Sequence, residues 1–124
     1  MLLRFLLIGL GGALGAMLRH SLTLLCQASH IPTTLGALLT NVIGSFLMGL
    51  LVSSCQPSAW LLMATVGLCG GFTTFSTFSL QSAKLLQQGH YSSAALYVLG
   101  TLALCVAFTI LGCYIGQKHS TLPL

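Results

Sequence analysis

"GLCGGFTTFSTFS", residues 67–79, decides how this chain is read. It lies inside an apolar segment, yet carries the adjacent glycines Gly70 and Gly71, the hydroxyls of Thr73, Thr74, Ser76, Thr77 and Ser79, and the rings of Phe72, Phe75 and Phe78. Paired glycines in mid-segment predict an interrupted helix. In hydrocarbon the amides and carbonyls released by a break have no water to bond, so the break belongs where protein covers it or where it lines a cavity. Broken helices at membrane depth turn carbonyls toward cations and amide ends toward anions. The plainer reading is a glycine-bent helix whose backbone groups are covered by Thr73, Thr74, Ser76 and Thr77.

The surroundings of this stretch are those of a membrane protein. Of 124 residues 56% are hydrophobic and 3% charged, with four Lys plus Arg and no Asp or Glu. Soluble domains carry about 25% charged residues, and so little charge would not keep a surface dispersed in water. A net charge of +4 is too thinly spread for nucleic-acid binding, which needs clustered Lys and Arg. The missing carboxylates exclude paired-acid hydrolysis, carboxylate-bound divalent metals and acid-driven proton relays. Cys26, Cys55, Cys69, Cys105 and Cys113 form no C-x-x-C pair and read as small buried hydrophobes. His20, His30, His90 and His119 sit near predicted helix ends, never at metal-ligand spacing.

Apolar stretches at 2–26, 31–55, 59–86 and 92–116 each suffice for a crossing of about 20 residues. They predict one four-helix transmembrane domain over residues 1–124, with both termini on one side. The first stretch has no convincing cleavage region and reads as a retained helix rather than a signal peptide. Arg4 and Lys118 fall on the side of the termini, Arg19 and Lys84 on the other, so the positive-inside count is two against two. A chain with no preferred orientation can insert both ways and pair as an antiparallel dimer. Alternatively, one of the four charges faces the protein interior and the other three decide the topology. Gly11 with Gly15, Gly12 with Ala16, and Ser45 with Gly49 predict close helix packing without naming a partner.

Asn41 lies within the second stretch, where a carboxamide must find partners. It reads either as an interhelical hydrogen-bonding residue or as a donor aimed into a pore, with Ser45 one turn later on the same face. Arg19, ending the first stretch, reads as an interfacial anchor or as an attractor of anions into a vestibule. Phe75 and Phe78, three apart, face one direction on a resuming helix; aromatic edges are positive and meet a small anion weakly enough to release it. Ordinary core packing is the competing explanation. Tyr97, Thr101, Cys105 and Thr109 recur every four residues and set hydroxyl and thiol donors along one face of the fourth helix. Such a ladder suits an anion losing its water, since a bare ion in low dielectric costs tens of kcal/mol.

"GGALGAMLRH" (11–20), "NVIGSFLMG" (41–49) and "GLCGGFTTFSTFS" (67–79) together resemble the Fluc (CrcB-like) fluoride channels. The resemblance implies an all-α membrane protein of four transmembrane helices, the third broken mid-membrane, assembled as an antiparallel dual-topology homodimer with two fluoride pores. By matching positions, Asn41 resembles the pore asparagine, Phe75 and Phe78 the ring-edge fluoride ligands, and Arg19 the vestibule arginine. Gly70 and Thr73 match residues whose backbone carbonyls hold a structural Na⁺ at the dimer centre. Tyr97, Thr101, Cys105 and Thr109 are similar to the polar track of the fourth helix, with Thr77 contributing from the third. Two positions depart from the family pattern, Ala37 for a threonine and Gln81 for an acidic residue, and Cys105 replaces a frequent hydroxyl. The expectation is passive, fluoride-selective export of cytoplasmic fluoride across the cell (inner) membrane, with lipid, fluoride and a second copy of the chain as partners. No enzymatic role is expected: the serines offer no nucleophile motif and no acid orients a base. The alternatives are a small dual-topology exporter, which normally needs a buried carboxylate, and a noncatalytic assembly subunit.

Overall fold

The computed structural model describes residues 1–120, and every regular element among them is helical. Helix α1 spans Leu2–Ala28 and α2 Thr33–Ser54. The next stretch is composite: one turn of α-helix, α3 (Ala59–Leu62), a π-helical segment Met63–Cys69, a further turn, α4 (Gly70–Phe72), and α5 (Phe75–Gln87). Helix α6, Tyr91–His119, completes the order. Counting Ala59–Gln87 as one stretch, four helices of 27, 22, 29 and 29 residues are long and apolar enough to cross a membrane.

Short connections follow from how the helices end. At Gly89, φ +78°, the amide bonds Leu86 O, and the His90 amide reaches Leu85 O. This is a Schellman cap, in which a glycine enters the left-handed region and two terminal carbonyls are satisfied. The same cap closes α1 with His30 at φ 55°, its amide on Gln27 O and the Ile31 amide on Cys26 O. Ser58 opens α3 by accepting from the Leu61 amide at 3.0 Å.

Glycines set the packing. Helix α1 lies chiefly on the π segment and α4, and α2 chiefly on α6. Gly11 and Gly15 of α1 face the backbones of Met63, Leu68 and Phe72, while Gly67 and Gly71 face those of Ile8, Gly11 and Gly12. On the other side Gly49 abuts Thr109 and Cys113, and Gly112 abuts Phe46 and Leu50. The small-residue motifs seen in the sequence are therefore used inside the chain. Backbone-to-backbone approach of this kind is the principal way helices associate where no water drives them together. Much of the outward surface is apolar, with Leu96, Leu99, Val106 and Ile110 of α6 all exposed.

The extended residues of the third stretch are not where the glycines suggested. Gly70 is helical at φ −64°, ψ −37°, and its amide bonds Gly67 O and Thr65 O, the latter five residues back. Thr73 (φ −74°, ψ 157°) and Thr74 (φ −147°, ψ 109°) are the extended pair, between α4 and α5. Gly71 serves instead to admit α1: a Cβ there would sit 2.5 Å from Gly12 O. A π-helical register lodges an extra residue in the turn and recurs at functional sites; nothing in the hydrophobic pattern announced it.

A methyl group at Gly67 would lie 2.7 Å from Ile8 O and 3.0 Å from the Gly11 Cα, whereas one at Gly9 would meet nothing within 4 Å. Gly67→Ala is expected to destabilise the protein by about 1–3 kcal/mol through overpacking, with Gly9→Ala neutral. Thermal midpoints in detergent measure both.

Candidate functional site

The extended pair is seated on α2. Asn41 Nδ2 donates to Thr74 O at 3.1 Å, and the Thr74 amide donates to Asn41 Oδ1 at 2.7 Å. One carboxamide thus reads both polar groups of one residue. Gly44, three positions on, clears space for the Thr73 side chain, whose methyl a Cβ there would strike. The motif "NVIG" therefore combines a clamp with a seat.

The clamp redirects neighbouring bonds. In a continuing α-helix the Thr74 amide would donate to Gly70 O; here it donates to Asn41. The Thr77 amide, which would go to Thr73 O, donates to Thr74 Oγ1 at 3.2 Å and so caps α5. Gly70 O and Thr73 O each lose their helical donor in this way. Arg19 Nη1 approaches Thr73 O at 3.4 Å.

Successive side chains of extended backbone point to opposite sides, and Thr73 and Thr74 line different cavities. The first, ≈260 Å³, is bounded by Arg19, Thr23, Ala37, Thr40, Thr74, Ser76 and Thr77 among others. It is a hydroxyl-lined space with a guanidinium on its wall. The second, ≈220 Å³, is bounded by Asn41, Ser45, Thr73, Phe75, Phe78, Thr101, Leu102 and Cys105. Residues distant in sequence on α2, the extended pair, α5 and α6 meet there.

The rings form a chain. Phe75 and Phe78 have centroids 5.4 Å apart at 46°, and Phe78 and Tyr97 5.5 Å apart at 41°. These tilted arrangements match the preference of aromatic quadrupoles. Phe78 is buried at 7% exposure, whereas Phe75 is 74% exposed. The Tyr97 hydroxyl and Thr101 Oγ1 are buried without a hydrogen-bond partner among the described residues. Such orphan donors are uncommon and ask for an acceptor.

The fourth-helix ladder divides. Thr101 and Cys105 line the second cavity; Tyr97 lies beside it, against Phe78 and in a groove between α2 and α6. Thr109 lines neither cavity. Its hydroxyl faces Cys105 O at 2.9 Å and Ser45 O at 3.2 Å, closing the α2–α6 contact. Thr77 and Arg19 face the first cavity rather than the ring cavity. Ala37 is buried in the wall of the first cavity, and Gln81 is half-buried outside both. Thr23 and Thr40 join the first cavity unannounced, because their proximity arises only from helix packing, while Ser76 belongs to the hydroxyl-rich stretch that the sequence already marked. Ser45, by contrast, was legible as the i+4 neighbour of Asn41. No group of three or more His or Cys that could hold a metal occurs among the described residues.

Four membrane-length helices enclosing polar cavities beside an extended segment define a multi-pass membrane protein. Residues 6–113 match the family model described as CrcB-like protein, Camphor Resistance (CrcB), and the chain belongs to that family. A protein of Methylobacterium nodulans named fluoride-specific ion channel FluC is 41% identical over 111 residues, 86% of this chain and 90% of that protein. One of Shewanella amazonensis with the same name is 44% identical over 112 residues, again 86% and 90%. The fluoride-specific ion channel FluC 2 of Haloarcula marismortui is 44% identical over 97 residues, 78% of this chain and 80% of its own.

Asn41→Leu loses both the donor to Thr74 O and the acceptor for the Thr74 amide, and stability is expected to fall by about 1 kcal/mol for each bond. Asn41→Asp keeps the acceptor for the Thr74 amide but, ionised, turns a half-buried charge on Thr74 O, so its cost exceeds that of one lost bond. Hydrogen exchange at the Thr74 amide should accelerate in the leucine variant and much less in the aspartate one.

Proposed function

We propose that the chain is a fluoride-selective channel that releases cytoplasmic fluoride passively across the inner membrane, and that two copies inserted in opposite orientations form the working unit. The observation that carries this reading is the second cavity, where a ring pair and an orphan hydroxyl converge beside the Asn41 clamp. The names of the relatives support the identity of the ion. The even charge count supports dual insertion.

The anion would enter by the Arg19 cavity, drawn by the guanidinium, and exchange water for the hydroxyls of Thr40, Ser76 and Thr77. It would pass the clamp into the ring cavity, where the remaining Asn41 donor capacity, the Phe75 and Phe78 edges, Thr101 and Cys105 take over. Tyr97, set against Phe78, adds a hydroxyl beyond them, and Thr109 belongs to the same helix face but acts by holding α2 to α6. Weak ligands in series permit release as well as entry. Fluoride held in a cytoplasm where it is fully ionised would leave down its own gradient, so no coupling group is required.

A single copy leaves the Phe75 ring largely uncovered. Its exposure supports a partner copy completing that wall, and the break lying near mid-membrane where two copies cross. Gly70 and Thr73 fit a structural Na⁺ there, because both carbonyls have lost their helical donors, Thr73 O holding only the long contact from Arg19 Nη1, and unwound carbonyls are the ligands such a cation takes. Bound Na⁺ would supply positive charge to these carbonyls; the chain's own part is to present them, with Arg19 near Thr73 O.

Efflux from liposomes into a bath holding a fluoride electrode tests the function. Fluoride should leave at least a hundredfold faster than chloride, and Phe78→Ile should reduce fluoride flux by an order of magnitude or more; equal halide rates would reject the selectivity. Replacing Na⁺ by a bulky organic cation during purification should lower the thermal midpoint of the assembly, and a midpoint indifferent to Na⁺ would reject the cation site.

A further inference from the structure

Many hydroxyls on the helices of this chain share one arrangement. Ser21, Thr23, Thr40, Thr65, Ser82 and Thr109 each donate to the carbonyl four residues earlier, at 2.7–3.0 Å. Back-bonding of this kind is how a helical hydroxyl is satisfied where water is absent. Among the helical hydroxyls that do not back-bond, two on neighbouring helices share the ring cavity. Ser45 on α2 and Thr101 on α6 both line it. Thr101 Oγ1 is buried without a partner. Ser45 is engaged only through its backbone carbonyl, which accepts from Thr109, and its hydroxyl has no partner among the described residues.

The cavity's other walls are two rings, a thiol, a leucine, Thr73, whose hydroxyl is spent on Cys69 O, and Asn41, whose Oδ1 is spent on the Thr74 amide, so the two uncommitted O–H donors call for a ligand that only accepts. A halide is such a ligand. Resting on the channel reading above, we propose that Ser45 is a further anion-coordinating and specificity-determining residue, donating to the permeating ion together with Thr101. The spacing of the two donors is set by backbone contact: Gly49 lies against Thr109, and Gly112 against Phe46 and Leu50, so α2 and α6 cannot draw apart to admit a larger ion without losing that packing. Selection by size thus rests on the rigidity of one helix pair, with Ser45 and Thr101 as its two contact points.

The test uses the full chain in liposomes, measuring initial fluoride efflux against internal fluoride concentration for Ser45→Ala, Thr101→Val and the double variant. Each single change is expected to raise half-saturating fluoride or lower the rate about three- to tenfold, the equivalent of one neutral hydrogen bond. The double variant should lose less than the product of the two, since both donors serve one ion. Ser45→Thr should restore the wild-type dependence and Ser45→Cys should fall between, which also covers the case of an alanine variant that fails to assemble. Unchanged concentration dependence in Ser45→Ala, or in Ser45→Cys if the alanine form does not assemble, would overturn the assignment, as would effects of Ser45 and Thr101 that simply multiply. Wild-type protein that does not pass fluoride would instead defeat the channel reading, a result no Ser45 variant can produce.

Discussion

The site depends on one side chain pairing with the backbone of one residue. Asn41 meets both polar groups of Thr74, and the rest of the local geometry follows from that pair. With the Thr74 amide held by α2, Gly70 O is released, Thr74 Oγ1 is positioned to cap α5, and Thr73 is pressed into the gap at Gly44. An extended dipeptide in a nonpolar setting is otherwise unfavourable, because its amides and carbonyls have nowhere to go. A carboxamide is well suited to this task, since it offers a donor and an acceptor side by side and carries no charge to bury. The residue thus serves first as structure, and whatever it contributes to ion passage is done with the donor capacity left over.

From this clamp the two cavities take their characters. Extended backbone sends Thr73 and Thr74 to opposite sides, so the same dipeptide walls a hydroxyl-rich space under Arg19 and a ring-lined space under Phe75 and Phe78. The chemistry changes across a distance of two residues. On the proposed path, an ion moving between them would exchange hydroxyl and guanidinium contacts for aromatic edges and a few remaining donors, a graded removal of water.

Sequence reading recovered the helical class, the four membrane-length segments and the family, because apolar length and absent carboxylates leave few alternatives. It also singled out Asn41, Phe75, Phe78, Thr101 and Cys105, which the fold brings to one cavity. It misplaced the extended residues, since Gly70 and Gly71 resemble a helix breaker but are glycines for the sake of α1. That distinction is tertiary: a glycine lacking a side chain looks the same whether the space belongs to a turn or to a neighbouring helix. Thr109 illustrates a second limit. Four-residue spacing places it on the same face as Thr101, yet nothing in the spacing says that its hydroxyl lies against Ser45 O. The π-helical segment was invisible for a third reason, as one residue of extra winding leaves no mark on an almost wholly apolar stretch.

The chain packs as two stiff slabs, α1 with the π segment and α4, and α2 with α6, each zipped by glycine. The ring cavity straddles the seam between them, taking Ser45, Thr101 and Cys105 from one slab and Thr73 from the end of the other. Sliding along a seam needs less rearrangement than prising apart either slab. A shift along this boundary would therefore reshape the wall that Thr73 gives the ring cavity while leaving Ser45 and Thr101, on α2 and α6, at their set separation.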